Sequence, residues 1–118
     1  MAKKNNKAIK MTKGEQYEML YPILKTLLSE IKELSKKKPD NPLNKLKVGM
    51  INKVLERVKI ILANDPTTQF LELLDDETLP SNSDAVFIIS HYDAAMKQYK
   101  DKHYGYDKIG REHRWLTS

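Results

Sequence analysis

Cysteine is absent from the 118 residues. That excludes disulfides, thiolate zinc sites and a cysteine nucleophile, and it suits a reducing, cytoplasmic setting. Long apolar runs are missing too. The longest, Ala85-Val86-Phe87-Ile88-Ile89, falls far below the roughly 20 residues of a membrane span, so no membrane association is expected. The basic start is followed by Thr12-Lys13-Gly14-Glu15 rather than by an apolar core and cleavage site, which argues against a secretory signal. Glycine is confined to Gly14, Gly49, Gly105 and Gly110, all isolated, so there is no phosphate-cradling loop.

Charge of one sign is missing from two stretches. Residues 1–13 hold Lys3, Lys4, Lys7, Lys10 and Lys13 and no acid. Residues 60–96 hold Asp65, Glu72, Asp75, Asp76, Glu77, Asp84 and Asp93 and no Lys or Arg. The formal net charge of +5 equals the five lysines of the first stretch, so the rest of the chain is balanced but segregated. Residues 1–11 read as a disordered basic tail with little to anchor it. Residues 12–118 read as a single helical domain.

Four segments carry helical period and none alternates long enough for a strand, so the class is all-α, a compact bundle of about four helices with a short third. Thr12 and Glu15 have capping-box spacing, and Tyr17, Leu20, Leu24, Leu27, Ile31 and Leu34 then step by three and four, giving a helix over 13–37. Lys38-Pro39-Asp40-Asn41-Pro42 breaks it, and Asn41-Pro42 reads as the start of a second helix. Val48, Ile51, Leu55, Val58 and Leu62, with Leu46 and Met50 alongside, give that helix the widest apolar arc, which predicts that it is the central one. Gly49 in its interior suggests close packing against a neighbour. Asn64-Asp65-Pro66 ends it, and Thr67 or Thr68 opens a short third helix to about Asp76. Ser81 or Ser83 caps a fourth, running to about Tyr104 with Gly105 as its C-terminal stop. Residues 106–118 are expected to form an irregular strap in which Ile109, Trp115 and Leu116 dock while Lys108, Arg111 and Arg114 face water.

The strap interleaves aromatic and basic residues. Single-stranded nucleic acid is held by such chemistry, aromatic faces stacking on bases while cations neutralise phosphates. Lys102, Tyr104, Tyr106, Lys108, Arg111 and Arg114, together with Lys3, Lys4, Lys7, Lys10 and Lys13, are therefore the candidate partner-binding residues. The plainer reading is that Tyr99 and Trp115 complete the core and the cations form its rim, since Asp101, Asp107 and Glu112 would repel phosphate.

Other clusters carry less. Asp75-Asp76-Glu77 offers carboxylates that diverge rather than converge on a cation, and His91, His103 and His113 lack metal-ligand spacing. Ser90, His91 and Asp93 have triad chemistry but point apart on one helix. No catalytic residue, metal or cofactor is expected. The leading expectation is a small non-enzymatic binding or regulatory module that meets a protein partner through its segregated charge and C-terminal aromatic segment. A nucleic-acid-binding accessory protein is the alternative, and an α-helical hydrolase or nuclease assembled across a homodimer comes third. The heptads of the first helix would also serve as half of a homodimer seam.

Overall fold

A computed structural model of the chain describes residues 11–116, with Tyr106 described by its backbone alone. The expected tail lies almost wholly outside these residues. Among these residues three α-helices, one 3₁₀ turn and a two-stranded hairpin follow in order: α1 (Lys13–Lys37), α2 (Lys45–Ile61), the turn Pro66–Phe70, α3 (Asn82–His103), β1 (Tyr104–Asp107) and β2 (Glu112–Trp115). Among the described residues no helix is long and apolar enough to cross a membrane.

α1 begins with the capping box its sequence announces. The Thr12 hydroxyl accepts from the Glu15 amide at 3.1 Å, and the Glu15 carboxylate accepts from the Thr12 amide at 3.0 Å, so two otherwise orphaned donors are satisfied. Its face of Tyr17, Leu20, Leu24, Leu28 and Ile31 is buried. α1, not α2, is the central helix: it packs along both α3 and α2, which meet each other over a shorter stretch.

α2 starts at Lys45, three residues later than Pro42, with Asn44 accepting from the Lys47 amide at 2.8 Å. The intervening backbone is engaged elsewhere. The Leu43 amide donates to the Pro80 carbonyl at 2.9 Å, the Asn82 amide to Asn41 at 2.8 Å and the Ser83 amide to Pro39 at 3.1 Å, stitching this loop to the entrance of α3. The buried Asn82 side chain adds a bond to the Lys38 carbonyl at 2.9 Å.

The expected third helix is only the 3₁₀ turn, and residues 71–81 are not helical. Their backbone groups have other partners. The Asn52 side chain donates to the Leu74 carbonyl and accepts from the Leu74 amide, both at 2.9 Å. Lys59 donates to the Leu71 carbonyl at 3.2 Å and the Tyr92 hydroxyl to the Glu72 carbonyl at 2.7 Å. Backbone satisfied by side chains has no need of a helix, and the segment still buries Leu71 and Leu74.

α3 is capped by Ser81, whose hydroxyl accepts from the Asp84 amide at 3.1 Å. It ends at His103 with Tyr104 in extended geometry rather than on a left-handed Gly105. The irregular strap is instead an antiparallel hairpin with Tyr104 opposite Trp115 and Asp107 opposite Glu112. Trp115 packs on the core, whereas Ile109 and Leu116 stay exposed, so only the indole of the three expected anchors docks.

Candidate functional site

The start of α1, the end of α3 and the hairpin meet at one end of the molecule. Trp115 lies over Gly14, where an added Cβ would stand 2.6 Å from its Cγ; only a residue without a side chain lets the indole approach the helix so closely. Its ring centroid is 4.8 Å from that of Tyr17 and 5.5 Å from that of Tyr104, and its N–H donates to Glu18 Oε2 at 3.0 Å. Lys100 approaches the same carboxylate at 3.5 Å and sits 4.8 Å above the Tyr104 ring. Tyr104 is thus held between an indole and an ammonium, a cation–π and edge-to-face arrangement. Beneath this cluster the Tyr17 hydroxyl donates to the Met96 carbonyl at 2.7 Å. Burial pushes that phenol well above its usual range, so it stays a protonated donor.

Of the candidate binding residues, Lys13 helps line a polar pocket of about 220 Å³ with Asn64, Asp65, Tyr99 and His103. Lys102 reaches Asp65 Oδ2 at 3.2 Å. Burial of the Asp65 carboxyl works against ionisation, but bonds from the Thr67 amide, the Thr67 hydroxyl and Lys102 outweigh it and hold the group below the usual Asp value. Arg114 Nε donates to Asp107 Oδ2 at 2.6 Å, and this bond leads in holding the Asp107 carboxyl low. Lys108 and Arg111 are exposed in the turn between the strands, Arg111 with a left-handed φ of 56°. Lys3, Lys4, Lys7, Lys10 and the Tyr106 side chain lie outside the described positions. The structure therefore gathers Lys13, Lys102, Tyr104, Lys108, Arg111 and Arg114 around one end, with Tyr104 engaged in packing and Lys102 and Arg114 in ion pairs.

The acidic run serves its own turn. The Asp75 carboxylate accepts from the amides of Glu77 at 2.8 Å and Thr78 at 3.3 Å and from the Thr78 hydroxyl at 2.9 Å, and these bonds, the Glu77 amide first, lower its pKa. Among the described residues no group of three His, Asp or Glu side chains is arranged to hold a metal ion.

A second feature lies where sequence reasoning did not look. Between the C-terminal half of α1 and the N-terminal half of α2 runs an open, mainly apolar groove of about 540 Å³, lined by Leu27, Ile31, Leu34, Met50 and Ile51. Glu30 and Glu33 stand on its α1 side and Lys47 on its α2 side, with Lys37 also lining it. Met50 and Leu46, read as part of a buried arc, are 59% and 72% exposed. Gly49 beside them has open space where a Cβ would stand, so close packing does not explain it. The one available signal was an apolar arc on α2 too wide for a single core to cover.

Comparison with protein-family models, with curated proteins and with solved structures finds no match for this chain.

Proposed function

We propose that this chain is a small helical binding or regulatory module of the cytoplasm that meets a protein partner, and that the partner sits in the groove between α1 and α2. The observation that carries this reading is the groove itself: concave, apolar along its floor and charged at its rims, as sites that accept an amphipathic helix are. Met50 suits such a surface because its flexible thioether adapts to what it meets. A photo-crosslinking residue in place of Met50 should give protein adducts in cells, and the same residue in place of Asn64 should not. Absence of adducts from the groove position would overturn the reading.

A nucleic-acid-binding role is the second reading, favoured by one juxtaposition. Lys13 opens α1 beside Trp115, so the lysine-rich residues 1–10 join the chain at the end that carries Lys108 and Arg111. On this reading single-stranded oligonucleotide binding weakens steeply with salt, and deletion of residues 1–10 flattens that dependence. Fluorescence anisotropy measures both, and no binding at low salt removes the reading.

A further inference from the structure

We infer that the partner segment seated in the α1/α2 groove is an amphipathic helix that ends in acidic residues, its C-terminal carboxylates lying among Lys37, Lys38 and Lys47. This rests on the groove being the protein-binding site. The apolar groove does not stop at Leu34. A second cavity of about 300 Å³ adjoins it, lined in part by Lys37, Lys38, Asn41, Asn44, Lys47 and Asn82, and the two cavities share Leu34, Lys37 and Lys47. Among the described residues no acid lines this second cavity. The apolar floor follows α1 from Leu27 to Lys37, about 15 Å at the helical rise per residue, so it matches about three turns of a docked helix.

Charge is sorted along this groove rather than across it. On α1, Glu30 and Glu33 come before Lys37, and residues 38–44 turn the chain back so that Lys47 of α2 lines the same two cavities as Lys37. The end at this loop is therefore basic from both helices, and the far end is acidic from α1. A helix laid parallel to α1 suits the pattern at both of its ends: its C-terminal carbonyls and carboxylates face the lysines, and its N-terminal amides face Glu30 and Glu33. The reverse orientation sets each end against its own sign. The lysines are open to such a partner. Lys37, Lys38 and Lys47 are exposed, and among the described residues none of them is in an ion pair. Asp40, the acid of the loop, lines neither cavity. Glu33 pairs with Lys36 at 3.2 Å, which offsets part of the acidic end and leaves the lysine end as the selective one. A second copy joined through the α1 heptads is not the occupant, because Tyr17, Leu20 and Leu24 of that stripe are buried within the chain.

The test is selection by the full chain from a displayed library of short helices. Each carries a fixed leucine stripe at i, i+3, i+4 and i+7 and is randomised among Glu, Gln and Lys in its first and last turns. Wild type should enrich Glu over Lys about tenfold in the last turn and show no preference for Glu in the first. Lys37→Glu combined with Lys47→Glu should reverse the last-turn preference. Met50→Glu, acting through the apolar floor, should abolish enrichment, with circular dichroism confirming that each variant is folded. Equal recovery of Glu and Lys in the last turn, a preference for Glu in the first turn, or failure to select any helix overturns the inference. Its failure is separable from that of the groove. If the crosslinker at position 50 gives adducts with another protein while the last-turn preference is absent, the groove remains a binding site and the acidic end is wrong. Adducts at twice the mass of the chain assign the groove to a second copy and also overturn the inference; if there are no adducts, both readings fall.

Discussion

Gly14 and Gly49 make opposite demands on the same residue type. At Gly14 a methyl group would meet the Trp115 ring at 2.6–2.7 Å, so Gly14→Ala should displace the indole, cost about 1–3 kcal/mol and shift the emission of this single tryptophan to the red. Gly49 sits in the interior of α2 facing open space. Gly49→Ala should therefore stabilise by about 0.5–1 kcal/mol through the lower entropy of the unfolded chain. Urea unfolding followed by tryptophan emission measures both; a Gly14→Ala chain as stable as wild type would refute the close packing of Trp115 over Gly14, and a destabilised Gly49→Ala would refute the open space beside Gly49. A single sequence does not separate the two cases, because the residue that makes Gly14 necessary stands 101 positions away at Trp115.

Between elements, the junctions decide more than the elements themselves. Asp65 follows α2, caps the 3₁₀ turn by accepting from the Thr67 amide at 3.0 Å, and reaches the last turn of α3 through Lys102. Its folded pKa lies below its unfolded one, so the stability it contributes is complete above the ordinary Asp range and is lost as pH falls through the lowered folded value. Asp65→Asn keeps a capping oxygen but not the charge. Its urea midpoint should therefore drop less than that of wild type between about pH 5 and about pH 2.5. An equal drop in the two proteins would remove Asp65 from the acid response. The same principle explains the missing third helix: Leu71 and Leu74 have helical spacing, but Asn52, Lys59 and Tyr92 supply their segment with backbone partners from α2 and α3.

At the scale of the whole molecule, α1 joins the parts, and one cluster of buried side chains runs from Tyr17 through Leu55 to Tyr99 with Trp115 packed against it. A hairpin tied to such a core unfolds with it. Thermal transitions followed by helical circular dichroism and by Trp115 emission should coincide; an earlier change in emission would mean that the hairpin detaches while the helices persist. Charge is also reconciled at this scale. Asp65 and Asp93, from the stretch without Lys or Arg, pair with Lys102 and Lys97 beyond its end.

What the sequence by itself determined is what rests on local spacing. The helical class, the bounds of α1 with its capping box, and a serine cap for α3, narrowed to Ser81 or Ser83, follow from residues within a turn of one another, where side-chain periodicity and orphaned amides act directly. Tertiary structure alone decided the rest. β1 and β2 are four residues each, too short for alternation to register, and exist because Trp115 finds Gly14, Tyr17 and Tyr104. The late start of α2 depends on backbone bonds from residues 39–43 to residues 80–83. The groove depends on which side of each apolar arc another helix covers. Leu46, Met50 and Leu34 have the same hydropathy whether covered or exposed, and only the packing of α3 against other faces of α1 and α2 left them open.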